Sequence, residues 1–238
     1  MKTPVWIYGS AGKMGVAIRE VLATSPFFSF AGGSSSQQPL SLNQLPPNHL
    51  LLDFSSATGN QTLLQLIQNT KNCPALTLLV GSTGLSSTQL TAWSQLGKQH
   101  RILIAPNCSL GILVLSRLIR QVKPLLDLGF DLHMQETHHR LKKDAPSGTA
   151  KYLAEQVKGK EEPSILSVRA GGVFGEHTVQ VIGDHEELTL QHRAFSRQLF
   201  AAGALQLGNW LLQQKTSCYT LDDVEIEDLH PLQKETNK

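Results

Sequence analysis

The sequence has few cysteines, no excess of either charge and no long apolar run. Its three cysteines, Cys73, Cys108 and Cys218, are an odd number without CxxC spacing, which argues against a disulfide framework and a zinc site. Lys and Arg number 21 against 19 Asp and Glu, too balanced for a nucleic-acid or membrane surface. No apolar run reaches the ~18 residues of a membrane span, and glycines interrupt the first residues before a signal-peptide core forms. We therefore expect a soluble cytoplasmic protein whose partners are small molecules, without a bound metal.

What the sequence does contain is enough apolar material, 40% of 238 residues, for one large core or two modest ones. In the first half, short apolar runs alternate with patterns of helical spacing. This alternation is typical of right-handed βαβ units and predicts an α/β fold with an open, Rossmann-type parallel sheet. The five predicted strands are Val5 to Tyr8, Phe28 to Gly32, the run ending at Asp53, and the apolar runs before Gly81 and Ala105.

A glycine-rich turn, GSAGKMG, lies between the first predicted strand and the first predicted helix. Glycines at this place let the backbone approach a pyrophosphate, whose charge the helix N-terminus stabilises. The spacing is GxxGxxG rather than the common GxGxxG, so a glycine turn without any nucleotide is the alternative. The predicted cofactor-binding residues of this turn are Gly9, Ser10, Ala11, Gly12, Lys13 and Met14.

Two more loops follow predicted strands and should lie at the same edge of the sheet, where ligands of such folds bind. Their alternative interpretation is an ordinary strand-to-helix turn. No carboxylate stands at Ser34 to Ser36, where an acidic residue would bind the ribose of NADH, so NADPH is at least as acceptable a cofactor. The residues of these two predicted cofactor loops are Gly81, Ser82 and Thr83, and Ala105, Pro106, Asn107 and Cys108.

After Ser109 the pattern changes to a long predicted helix followed by strands with little helix between them. Such a pattern predicts a second, α+β domain built on a mixed or antiparallel sheet. We expect a dinucleotide-binding domain at residues 1–108 plus 198–238, and a substrate-binding and oligomerisation domain at 109–197. The last residues, HPLQKETNK, are predicted to be a polar tail.

The run ETHHRLKKDAPSGTA, residues 136–150, concentrates unusual chemistry. His138 and His139 supply groups that exchange protons near neutral pH. Lys142 and the turn that opens a helix near Thr149 suit a small carboxylate or phosphate. A solvated basic loop is the alternative interpretation. The other histidines of this half, His133, His177, His185 and His192, are interpreted as structural or solvent-facing, and no HxH or HExxH spacing indicates a metal.

Together these motifs resemble the dihydrodipicolinate reductase family. The matching segments are GSAGKMG, LLLDFSS, VGSTG, IAPNCSLG, ETHHRLKKDAPSGTA, RAGGVFGEHTV and LDDV, with ETHH and KxDAPSGTA the most specific. The resemblance implies NADPH- or NADH-dependent reduction of dihydrodipicolinate, a cyclic unsaturated dicarboxylate, to tetrahydrodipicolinate in lysine and diaminopimelate synthesis. It also implies a homotetramer.

The resemblance assigns roles within the motif residue by residue. His138 matches the general acid, and His139 matches a substrate contact. Lys142 matches a lysine that binds a carboxylate and assists protonation. Ser147, Gly148 and Thr149 match the turn that holds the other carboxylate.

Two alternatives stay open at this point. The chain could be another nicotinamide-dependent dehydrogenase of an amino-acid precursor, and an aldehyde-oxidising enzyme of that kind would need Cys108 as its nucleophile. It could also be a catalytically silent redox sensor that binds NADPH and a protein partner. The retained Lys142 and the SGT turn argue against a silent sensor.

Overall fold

The computed structural model describes residues 1–158 and 163–229, and the chain folds there into two compact units. The first unit comprises Met1–Cys108 and the chain from Phe200 onward, and the second comprises Ser109–Leu199. The predicted polar tail, residues 230–238, lies outside the described residues. That cofactor and substrate bind to different units stays a prediction.

Ten strands and six helices make up the described chain, together with short 3-10 turns at Leu42–Gln44, Leu221–Asp223 and Ile226–Asp228. In chain order they are β1 (Thr3–Tyr8), α1 (Lys13–Thr24), β2 (Phe28–Ser34), β3 (Leu50–Asp53), α2 (Ala57–Asn69), β4 (Thr77–Val80), α3 (Ser87–Leu96), β5 (Arg101–Ile104), α4 (Leu110–Asp127), β6 (Asp131–His138), α5 (Gly148–Glu155), β7 (Ile165–Arg169), β8 (Glu176–Ile182), β9 (Glu187–Arg193), α6 (Gln198–Leu212) and β10 (Ser217–Thr220). None of the helices in these described residues is long and apolar enough to cross a membrane.

The first unit is built on a six-stranded sheet with the order β10-β5-β4-β3-β1-β2, in which every pairing is parallel. All residues of β3 and β4 are buried, as expected for central strands of a sheet covered on both faces. Leu40 and Leu42, from the predicted loop after β2, also pack into this core. The predicted Rossmann-type parallel sheet is confirmed.

The sixth strand, β10, was not predicted from the sequence. Its four residues, SCYT, contain no apolar run, and none of them is fully buried. Such a short strand at the edge of a sheet is held by backbone pairing to one neighbour, here β5, rather than by an apolar pattern of its own. The periodicity on which sequence interpretation depends is therefore missing from it.

The second unit contains a four-stranded mixed sheet with the order β7-β6-β8-β9. β6 pairs with β7 in parallel, whereas the β6–β8 and β8–β9 pairings are antiparallel. Residues of α4 and α5 pack with Met134 and Val179 on one face of the sheet. The predicted α+β architecture is confirmed, and His138 is the last residue of β6.

Candidate active site

Strand register brings four polar side chains together on the face of the mixed sheet that the helices cover. Glu136 and His138 lie on the buried side of β6 together with Met134, and exposed or half-buried residues alternate with them. The neighbouring strands place His177 opposite Glu136 and Arg169 opposite His138. This cluster sits at the end of β6 from which the predicted substrate turn departs.

Glu136 is the centre of the cluster and is completely buried. Arg169 donates hydrogen bonds to both of its carboxylate oxygens, from Nη1 to Oε2 at 2.9 Å and from Nη2 to Oε1 at 2.6 Å. The backbone N–H of Ser147 donates to Oε1 at 3.2 Å, and Nδ1 of His138 bonds to Oε2. Burial alone would raise the pKa of Glu136, but the hydrogen bonds from Arg169 and His138 outweigh it and lower the pKa to about 2. The carboxylate is therefore ionised at neutral pH.

His138 has its two ring nitrogens in different surroundings. Nδ1 bonds to the Glu136 carboxylate, whereas Nε2 lies beside Gly175, where a Cβ on that glycine would be 3.0 Å away. Burial lowers the pKa of His138, the contact with Glu136 opposes this effect, and the positive charges of Lys142 and Arg169 reinforce it. The ring is thus held at Nδ1 by Glu136, and its Nε2 faces Gly175.

His177 packs edge-on against His138, with ring centroids 5.2 Å apart. Its Nε2 lies 3.3 Å from the hydroxyl of Ser147. Burial lowers the pKa of His177 to about 3, and the neighbouring His138 and His192 contribute to this shift. The ring is therefore neutral. The sequence interpretation of His177 as structural or solvent-facing did not place it near the site, whereas the register packs it against the predicted general acid.

The turn after β6 carries the other predicted substrate residues. Lys142 Nζ contacts both carboxylate oxygens of Asp144, at 2.8 and 2.9 Å. The backbone carbonyl of Asp144 accepts a hydrogen bond from Arg169 Nη2 at 2.5 Å, which joins this turn to the Glu136 cluster. His139 is partly exposed, and Lys143 is exposed.

Ser147 begins α5, and its hydroxyl caps the helix by accepting from the N–H of Ala150 at 3.1 Å. Gly148 and Thr149 form the first helical positions, so the helix starts one residue before Thr149, near which the sequence predicts its beginning. The N-terminal N–H groups of a helix favour anions. Asp144 already illustrates this preference, because Lys142 first, and then backbone N–H groups including that of Gly148, lower the pKa of its carboxyl group.

Glu136 and Arg169 were absent from the predicted site, although the sequence carried a signal for Glu136. In the alternating segment HMQETHH, the carboxylate at 136 shares a strand face with the apolar Met134. A carboxylate on a buried face requires a cation or several donors. Arg169, at the end of β7, supplies that cation, but the register that pairs it with His138 comes only from tertiary structure.

In the first unit, the predicted cofactor loops follow the carboxyl ends of three strands of the parallel sheet, β1, β4 and β5. Gly9 to Gly12 connect β1 to α1, Gly81 to Thr83 follow β4, and Ala105 to Cys108 follow β5. Gly9 has φ +90°, and a Cβ there would lie 2.7 Å from the carbonyl oxygen of Phe54. The turn therefore requires glycine at that position.

The start of α1 fits the pyrophosphate of a dinucleotide. Gly12 is its N-cap residue, and no side chain caps the helix. The first backbone N–H groups of a helix have no intrahelical acceptor, and together with the helix dipole they attract an anion. Lys13, at the first helical position, is exposed and adds a positive charge.

A buried hydrogen-bond network fixes the loops that follow β3 and β4. The Asp53 carboxylate accepts from the Ser55 hydroxyl at 2.6 Å, the Asn60 amide at 2.7 Å and the Ser82 hydroxyl at 2.8 Å. Ser82 is buried, so its side chain serves the network. Of the predicted loop Gly81 to Thr83, Thr83 has its side chain exposed.

Cys108 is unsuited to nucleophilic chemistry. It is 2% exposed, and its Sγ contacts the carbonyl oxygen of Ala105 at 3.4 Å. Burial raises the pKa of the Cys108 thiol to about 12. Because the thiolate is the nucleophile, a thiol with this pKa is inert at neutral pH.

Two family models match the chain and together span most of it. Residues 3–108 match the model described as dihydrodipicolinate reductase, N-terminus. Residues 111–224 match the model described as dihydrodipicolinate reductase, C-terminus.

Curated relatives are similar over nearly the whole chain. A 4-hydroxy-tetrahydrodipicolinate reductase of Bdellovibrio bacteriovorus is 31% identical over 226 residues, which cover 94% of this chain and 96% of that protein. The enzyme of the same name from Chlamydia muridarum is 32% identical over 243 residues, covering 96% of this chain and 97% of that protein.

Solved structures share the fold. The dipicolinate-bound dihydrodipicolinate reductase from Paenisporosarcina sp. TG-14 has a TM-score of 0.75 at 21% identity, covering 94% of this chain and 100% of that one. An aspartate semialdehyde dehydrogenase from Vibrio cholerae has a TM-score of 0.55 at 12% identity, covering 90% of this chain and 99% of that one. The fold alone is therefore common to reductases and dehydrogenases of different substrates, whereas the family models are specific.

Proposed function

Because the chain belongs to the dihydrodipicolinate reductase family, we propose that it reduces dihydrodipicolinate to tetrahydrodipicolinate with NADPH or NADH, in lysine and diaminopimelate synthesis. The observation that supports this most is the cluster around Glu136. One carboxylate bonds to the imidazole of His138 and to the backbone of Ser147, which begins the predicted carboxylate-binding turn. A proton donor and an anion site thus share one anchor.

The proposed roles follow from this geometry. The ion pair between Lys142 and Asp144 opens, and Lys142 pairs with one carboxylate of the substrate instead. The turn of Ser147, Gly148 and Thr149 binds the other carboxylate. His139 contacts the substrate from the same segment. The bound nicotinamide supplies the hydride. His138 donates the proton from Nε2 to the carbon next to the one that receives the hydride.

The proposed cofactor site consists of the loops Gly9 to Met14, Gly81 to Thr83 and Ala105 to Cys108. Backbone N–H groups at the start of α1 would hold the pyrophosphate. Near the end of β2, the Ser34 hydroxyl accepts from Trp6 Nε1 at 2.9 Å, whereas Ser36 and Lys13 are exposed. Ser36 and Lys13 carry no negative charge that would repel a 2′-phosphate, so we propose that NADPH is accepted as well as NADH.

The alternative of an aldehyde-oxidising dehydrogenase is disfavoured by Cys108. That mechanism needs a reactive thiolate, and the Cys108 thiol is buried with its pKa raised to about 12. No observation in the described residues favours the silent redox sensor, because a sensor would have no use for the buried pair of His138 and Glu136.

We also propose that the protein acts in the cytoplasm as a homotetramer. On the mixed sheet, α4 and α5 pack against one face, and the other face is exposed in the second unit taken by itself. Leu166 and Ile182 lie on this open face with 51% and 37% of their surface exposed. Apolar side chains on an uncovered sheet face are typical of an association surface. Sedimentation that gives a monomer at assay concentration would contradict the tetramer.

Oxidation of each nicotinamide cofactor, followed by absorbance, tests the proposed reaction. Dihydrodipicolinate must be generated freshly in the cuvette, because it is unstable. We expect oxidation only when this substrate is present. Reduction of the oxidised cofactor in the presence of aspartate semialdehyde, without oxidation of the reduced cofactor by dihydrodipicolinate, would overturn the proposal in favour of the aldehyde-oxidising dehydrogenase.

The glycine beside His138 allows a specific prediction. In Gly175→Ala, the new methyl group would lie 3.0 Å from Nε2 of His138 and 3.7 Å from Cε1 of His177. We expect a fall in kcat of about tenfold or more, because the methyl group obstructs the atom that delivers the proton. Gly171→Ala is the matched control, since Gly171 also has a positive φ, +51°, and a Cβ there meets nothing within 4 Å. Equal rates for the two variants would show that Nε2 is not the reacting atom.

A further inference from the structure

The cluster under the mixed sheet contains a carboxylate whose two oxygens serve different parts of the site. Oε2 of Glu136 bonds to Nδ1 of His138, whereas Oε1 accepts the backbone N–H of Ser147 at 3.2 Å. Arg169 donates to both oxygens, which fixes the plane of the carboxylate. The orientation of the imidazole and the position of the turn are therefore set by one rigid group.

We propose that Glu136 is the positioning residue of this site: it fixes the His138 tautomer that delivers a proton from Nε2, and it sets the separation between His138 and the carboxylate-binding turn at Ser147. Arg169 completes the arrangement by holding Glu136 and the carbonyl oxygen of Asp144 at once. This inference rests on the proposed function, which gives His138 and the turn their roles.

The tautomer follows from the ionisation of Glu136. With a pKa of about 2, its carboxylate is only an acceptor at neutral pH, so Nδ1 of His138 must carry a hydrogen. In the neutral ring, Nε2 is then unprotonated, and in the charged ring Nε2 carries the proton that can leave. Catalysis needs no change at Nδ1, because Nδ1 keeps its hydrogen in both states and donates it to the Glu136 carboxylate.

The charged and titratable groups that face His138 come from every strand around it and from the turn. Glu136 lies on its own strand, Arg169 on β7, His177 on β8, and Lys142 on the turn. Of these, only Glu136 favours the protonated ring, since burial, Lys142 and Arg169 all lower the pKa of His138. Removing the negative charge of Glu136 must therefore lower this pKa further.

The effect of Glu136→Gln on the pH profile follows with a definite sign. A general acid works while it is protonated, so the rate falls as pH rises through its pKa. The variant should show this fall at lower pH than the wild type, with a loss of about tenfold at neutral pH for each unit by which the pKa drops. At low pH the variant should approach the wild-type rate, because His138 is protonated in both proteins.

Glu176→Gln is the matched control. Glu176 lies on β8 and accepts a hydrogen bond from Arg193 Nε at 2.6 Å. As at position 136, the change to Gln removes a negative charge that faces an arginine. Its side chain points to the open face of the sheet and has no contact with His138 among the described interactions. We expect the pH profile of this variant to fall at the wild-type pH, because a change on the open face, even one that alters association, leaves the charges around His138 in place.

Nitrogen NMR of the histidine-labelled wild-type enzyme tests the tautomer without any variant, with the His138 signals assigned by their loss in His138→Gln. We expect the neutral ring to be protonated at Nδ1. A neutral ring protonated at Nε2 would overturn the proposal, as would an unchanged His138 pKa and pH profile in a folded Glu136→Gln enzyme. These signals need no substrate, so a failure of the proposed reaction would be distinguishable from a failure of this inference.

Discussion

Replacing His138 with Gln is expected to lower kcat by about 10²- to 10⁴-fold while binding of NADPH is unchanged. The reason is that Gln cannot donate a proton at the position of Nε2, although it retains a polar side chain that can bond to Glu136. The proposed cofactor loops belong to the other unit and contain neither His138 nor Glu136. Steady-state kinetics together with fluorescence titration of NADPH would measure both quantities.

His133→Gln is the matched control for this variant. His133 lies on the same strand, β6, but on its opposite, exposed face. The same chemical change there should leave kcat at its wild-type value. If His138→Gln retained turnover close to that of His133→Gln, His138 would not be the proton donor.

Replacing Lys142 with Ala is expected to lower kcat/KM for the dicarboxylate by about 10²-fold or more, again without loss of NADPH affinity. The ammonium group contacts the Asp144 carboxylate in this turn, at 2.8 and 2.9 Å. Its loss removes the partner of a substrate carboxylate and leaves the Asp144 charge to repel that carboxylate. The effect should therefore exceed that of one hydrogen bond.

Lys143→Ala is the control for Lys142→Ala. Its side chain is exposed, and it stands next to Lys142 in the same turn. The net charge changes equally in the two variants, so any general effect of charge on substrate attraction is shared. A similar loss in both would mean that long-range attraction, and not a specific contact, explains the effect. A fall in NADPH affinity in Lys142→Ala would contradict its assignment to the substrate.

Much of the fold was predictable because its signals are local. Apolar runs such as Leu50 to Asp53 alternate with helical patterns, and strand alternation from Asp131 to His138 is regular. Motif chemistry was local as well, since His138, Lys142 and Ser147 lie within one short segment. The edge strand β10 was not predictable from the sequence, because backbone pairing, and not an apolar pattern, defines it.

The supporting residues of the site were not predictable, because they meet only through strand register. Glu136, Arg169 and His177 belong to three different strands, and Glu136 precedes Arg169 by 33 residues. Only the pairing of His138 with Arg169, and of Glu136 with His177, brings them together. A buried carboxylate on an apolar strand face was the one signal that such partners must exist.

Transfer of deuterium from a labelled cofactor tests the central claim most directly. The nicotinamide is deuterated at the transferring position, the enzyme turns over freshly generated dihydrodipicolinate, and mass spectrometry examines the product. We expect tetrahydrodipicolinate carrying one cofactor-derived deuterium, formed in equal amount to the oxidised cofactor and far more slowly by His138→Gln. Oxidised cofactor without deuterium in the product, or no reaction at all, would contradict the account.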